Sequence, residues 1–89
     1  MNKTYPLHND YKRTGLDSSD PIITYEIYQD LNNPKQVALA KIETISDITV
    51  ETYHFTTVNN TTEFTTLWNN RATLTYYNLI DTYIKDKLN

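Results

Sequence analysis

Few side chains in this sequence could carry out chemistry, and their spacing limits what they could do. Cysteine is absent, so thiolate nucleophiles, thiolate metal sites and disulfides are excluded. The two histidines are His8 and His54, and neither belongs to a His-x-x-x-His pair or an acidic cluster at ligand spacing. His54 is therefore expected to be a sheet residue with a local hydrogen bond. Ser18, Ser19 and Ser46 fall in turn-like stretches without the glycine-flanked elbow that exposes a nucleophilic serine. Gly15 is the single glycine, which excludes a glycine-rich phosphate loop and a dinucleotide fingerprint. Glu26, Glu43 and Glu51 could meet on one sheet and exchange protons, but 89 residues leave little room for a desolvated pocket to tune them. The expectation is a protein without catalytic residues, metal or cofactor.

The elements that would position these residues follow from periodicity. Pro21 opens a β-branched and aromatic run over 22–29, with Ile23, Tyr25 and Ile27 on one face and Thr24, Glu26 and Tyr28 on the other. The Asn- and Pro-containing stretch 30–35 reads as a turn, and strands over 36–45 and 48–58 flank Ser46-Asp47. Such short turns imply antiparallel pairing. Asn60 followed by Glu63 reads as a helix start of the capping-box kind. Phe64, Leu67 and Trp68 form one apolar stripe, and Tyr76, Leu79, Ile80, Tyr83 and Ile84 form a second. The two stripes point in different directions on one wheel, so the helix is expected to bend or break near 69–75. A competing reading makes residues 72–77 a further strand. Residues 1–20, with anchors Leu7 and Leu16 and breakers Pro6 and Gly15, read as an irregular N-terminal arm. The expected fold class is α+β: a three-stranded antiparallel sheet over about 21–58, covered on one face by C-terminal helix, with residues 21–89 forming one small domain.

Composition and charge narrow the function classes. The hydrophobic fraction is 38% and the formal net charge is -3, which together argue against intrinsic disorder. No apolar run approaches the ~20 residues of a membrane span, and no apolar leader core stands at the N-terminus. The expectation is therefore no membrane association and a cytoplasmic location, that of the host cell if the gene is phage-borne. Residues 14–63 carry eight acidic residues against Lys35 and Lys41, which puts the acidity in the sheet. Carboxylates against phosphates have the wrong sign for counterion release, so direct nucleic-acid binding by the sheet is not expected.

Eight tyrosines beside this acidity suit a basic protein partner, with rings as anchors and charge as the guide. On the register that turns Ile23, Tyr25, Ile27, Ala38, Ala40, Ile42, Ile48 and Val50 toward the helix, Lys41 lies on the outer face. The partner-binding residues expected there are Glu26, Tyr28, Glu43, Glu51, Tyr53 and Phe55. The small, acidic, Asn-, Thr- and Tyr-rich composition suggests a phage or mobile-element accessory protein. On this expectation it is a non-catalytic binding module that inhibits a host nucleic-acid enzyme, in the manner of an anti-CRISPR protein. Two alternatives stand beside it. One is a self-associating structural or accessory protein. The other is a small nucleic-acid-binding regulator using the basic ends, Lys3, Lys12 and Arg13 with Arg71, Lys85 and Lys87.

Overall fold

Residues 10–78 are described by a computed structural model of the chain. Four strands, β1 (Tyr11–Asp17), β2 (Ile23–Asp30), β3 (Gln36–Ile45) and β4 (Ile48–Thr57), pair antiparallel in chain order. They are followed by α1 (Thr61–Asn69) and a 3₁₀ turn at Arg71–Thr73, so the fold is α+β. Side-chain oxygens shape two of the reversals. Asp20 Oδ1 accepts from the Ile22 and Ile23 N–H groups at 2.7 and 3.2 Å, and Asp30 Oδ1 accepts from Asn32 and Asn33 at 2.8 and 3.3 Å. The third is a two-residue turn whose central residues, Ser46 (φ 51°) and Asp47 (φ 67°), both lie in the left-handed region. That is the backbone of a type I′ hairpin, whose twist matches the flanking strands.

The sheet has one more strand than the three expected, and it comes from the stretch 1–20 expected to be irregular. β1 escapes pattern reading because its register slips between Arg13 and Gly15. The bulge puts Tyr11, Arg13 and Leu16 opposite Asp30, Tyr28 and Glu26, which interrupts the two-residue alternation. Gly15 does not break the strand. A Cβ there would lie 2.6 Å from Ile27 Cγ2, with the Trp68 ring 3.8 Å away, so only glycine lets β1 approach β2 beneath the helix.

β3 is the centre of the core: Val37, Ala38, Leu39 and Ala40 are all 0–1% exposed. Leu39 lies between Ile27 and His54, and Ala40 lies between Glu26 and Tyr53. Val37, Leu39, Lys41 and Glu43 therefore share the α1 side with Ile23, Tyr25 and Ile27, whereas Ala38, Ala40 and Ile42 occupy the opposite face. This reverses the expected assignment of β3. A strand apolar on both faces has no alternation to orient it, and side-chain volume decides instead. Val37 and Leu39, with Ile27 and Val58, pack against Phe64, Leu67 and Trp68 of α1 and against Leu74 and Tyr76. The alanines sit among Tyr11, Tyr28, Tyr53 and Phe55.

The helix start is as expected. Asn60 Oδ1 accepts from the Glu63 N–H at 2.9 Å, while Glu63 Oε1 reaches back to the Asn59 N–H at 2.9 Å. The helix stops where the two stripes diverge: the Asn70 N–H turns back to the Thr66 and Leu67 carbonyls, and the 3₁₀ turn follows. Of the competing strand over 72–77, only Tyr77 takes up pairing. It exchanges two backbone hydrogen bonds with Tyr53, at 2.7 and 2.8 Å, in an isolated antiparallel bridge. Tyr76 of the second apolar stripe joins the α1-side core. The rest of that stripe, within 79–84, lies outside the described residues.

Candidate functional site

Five of the six expected partner-binding residues lie together on the face away from α1. Glu26 and Tyr28 are neighbours on β2, Glu51, Tyr53 and Phe55 are neighbours on β4, and the β3 alanines lie between them. The Tyr28 hydroxyl donates to Glu26 Oε1 at 2.5 Å, and Arg13 Nη1 donates to Glu26 Oε2 at 3.0 Å. The Tyr53 hydroxyl donates to Glu51 Oε1 at 2.6 Å, and Phe55 stacks beside the Tyr53 ring with centroids 6.1 Å apart. Burial raises both phenols well above the ordinary tyrosine value, and the hydrogen bond to the neighbouring carboxylate adds to the effect. Tyr53 is 0% exposed and Glu26 is 9% exposed. Here the face is a packed layer whose carboxylates are held by phenols and a guanidinium, not the open acidic surface expected.

Glu43 departs from the set. It sits on the α1 side between Ile23 and Val50, because the β3 alternation runs opposite to the expected one. Lys41, also expected on the outer face, is on that side as well, with Nζ 5.8 Å above the Tyr76 ring.

Nearby, Arg71 is held from several directions. Its Nε and Nη2 donate to Asp17 Oδ2 at 3.2 and 2.7 Å, its Nη1 donates to the Trp68 carbonyl at 2.8 Å, and its guanidinium lies 4.4 Å from the Trp68 ring centroid. The Asp17 carboxyl is held well below the usual range, first by the Ser19 hydroxyl and then by Arg71. His54 is a β4 residue as expected, but its Nδ1 donates at 2.9 Å to the carbonyl of Thr75, 21 positions away, so the hydrogen bond is not the local one expected. Among the described residues, no three His, Cys, Asp or Glu side chains are grouped to hold a metal ion. Two hollows of about 340 Å³ flank α1, one beside Lys35 and Asn60 and one beside Thr62, Glu63 and Thr66. Each has one charged side chain in its lining, so neither pairs an acid with a base.

The feature that sequence reasoning missed is the end of the sheet formed by the β1–β2 and β3–β4 turns. The Thr44 N–H donates to the Ile22 carbonyl at 3.0 Å and joins the two turns. Ile22, Ile45, Ile48 and Val50 are 54, 54, 64 and 42% exposed. Ile45, Ile48 and Val50 alternate onto one face of the β3–β4 hairpin with Glu43, while Ile22 lies opposite Thr44 and Asp20 and Asp47 stand in the turns. The α1 packing set includes none of residues 43–50. Of the described cations, Lys12, Arg13 and Lys35 belong to the opposite half of the sheet, while Lys41 and Arg71 are drawn to Tyr76 and Asp17. The available signal was the Ile-Ser-Asp-Ile run, which sets two isoleucines beside a two-residue turn at the end of the sheet. No helix among the described residues is long and apolar enough to cross a membrane.

Comparison of the chain with protein-family models, with curated proteins and with solved structures finds no match.

Proposed function

We propose that this protein is a non-catalytic binding module whose acidic, isoleucine-bearing turn end seats in a basic groove of a partner protein. The observation that carries this reading is the turn end itself. Four aliphatic side chains are exposed at this end, which also carries Asp20, Glu43 and Asp47 against Lys41 once Arg71 is paired with Asp17. Exposed apolar patches with a polar rim mark interaction surfaces, and a rim of one charge selects a partner of the other. In this reading the partner is a host nucleic-acid enzyme and the protein a phage or mobile-element inhibitor of the anti-CRISPR kind, acting in the host cytoplasm. Its mechanism is occlusion: carboxylates and isoleucines occupy a groove that would otherwise hold phosphates and bases. The nucleic-acid regulator alternative is weakened because Arg13 and Arg71 are committed to Glu26 and Asp17.

The test is affinity capture from a bacterial lysate at two salt concentrations, with identification of the retained proteins and challenge by added DNA. Retention of one basic nucleic-acid enzyme at low salt, with release by salt and by DNA, is the expected result. Retention unaffected by DNA, or no retention, overturns occlusion.

A further inference from the structure

We infer that the anchor of this interface is the β3–β4 hairpin tip, with Ile45 and Ile48 entering an apolar pocket in the partner's basic groove and Asp47 meeting a cation at its rim. The inference rests on the binding reading above and names the residues within it that dominate affinity. Ile45 and Ile48 are the last cross-strand pair of the hairpin and flank its apex, and they are the two most exposed aliphatic residues of β3 and β4. Interfaces concentrate their energy in a few apolar anchors surrounded by a polar rim. The tip matches that pattern, with Val50 and Glu43 forming the next rung on the same face, one pair beyond Thr44 and Thr49. The ladder is regular from Gln36↔Thr57 through Ile45↔Ile48, so the tip is ordered before any partner arrives and little further entropy is lost on docking. Ser46 and Asp47 occupy left-handed positions that glycine or asparagine fills at lower cost. Position 47 instead holds a carboxylate at the apex, where it would meet the partner first. With Arg71 paired to Asp17, the described residues of this half of the sheet set Asp20, Glu43 and Asp47 against Lys41, and this acidic excess makes a basic partner the complementary one, not an acidic one.

The experiment uses the full chain, ¹⁵N-labelled, titrated with an amphipathic peptide of alternating Lys and Leu, and with a Glu/Leu peptide as control. The expected result is that the Lys/Leu peptide shifts the amides of residues 43–50 and of Ile22, and that the Glu/Leu peptide shifts none. Ile48→Ser should weaken binding about tenfold, and Asp47→Gly several-fold although it stabilises the fold. Leu31→Ser, at a side chain 59% exposed on the opposite end, should leave binding unchanged. If Ile48→Ser binds like the parent while Glu43→Lys with Asp20→Lys abolishes binding, the anchor assignment is wrong and the acidic-end reading survives. If the Lys/Leu peptide does not bind, or shifts amides elsewhere, both fail. Concentration-dependent shifts without peptide, lost in Ile48→Ser, would make a second copy of the chain the occupant and overturn the basic partner.

Discussion

Arg71 shows how a surface cation is withdrawn from binding without deep burial. Its guanidinium bonds Asp17 and the Trp68 carbonyl and lies against two rings, so its donors are already used at about a quarter side-chain exposure. A carboxyl held below its ordinary value of 3.8 favours the folded state at neutral pH. The unfolded chain takes up that proton first as pH falls, so the contribution is complete above pH 3.8 and declines as pH drops toward the folded value. Asp17→Asn should therefore lower the melting temperature at neutral pH and flatten the loss of stability on acidification below about pH 4, read by thermal melts across pH. The phenols behave in the opposite sense. Tyr28, Tyr53 and Tyr76 have folded values raised above 10.0, so the unfolded chain releases these protons first and stability falls as pH rises past 10. Absorbance of phenolate should show three native tyrosines resisting ionisation until the chain unfolds, and full reversible titration near pH 10 would contradict this.

Within single elements, β1 and β3 show what alternation cannot convey. β1 depends on Gly15, where Ile27 leaves no room for a methyl group. Ile27 is 1% exposed and cannot retreat, so Gly15→Ala should cost ~1–3 kcal/mol by overpacking. Urea unfolding should show a lower midpoint with an unchanged slope, and a parent-like midpoint would mean that β1 does not approach β2 as described. β3 faces two apolar environments, so its sequence permits either orientation. The helix was easier to read because Asn60, Glu63, Phe64, Leu67 and Trp68 interact within two turns of one another.

Across the molecule, burial is graded along the strands. The residues nearest zero exposure, Ile27, Val37–Ala40 and Tyr53, lie midway along β2, at the start of β3 and midway along β4, whereas Ile45–Val50 are exposed. Amide hydrogen exchange should be slowest for Ile27, Leu39 and Ala40 and fastest within Ser46–Asp47; equal rates at both places would contradict the gradient. The exposed end also carries Asp20, Glu43 and Asp47, an arrangement that favours fast, salt-sensitive encounter with a basic surface.

By itself, the sequence determined what depends on near neighbours: the α+β class, the turns with their Asp and Asn side chains, the capped start of α1 with its first stripe, and the faces of β2. It also placed Glu26, Tyr28, Glu51, Tyr53 and Phe55 on one side, because each strand's alternation is local. Only the tertiary structure decided that β1 joins the sheet, that β3 turns Leu39 toward Trp68, and that Tyr53 is buried. It also decided that Ile45 and Ile48 are left uncovered. These outcomes depend on volumes and distances between segments far apart in the chain: a glycine that fits under a tryptophan, alanines that admit tyrosine rings, and a helix packing set that stops short of the hairpin tip.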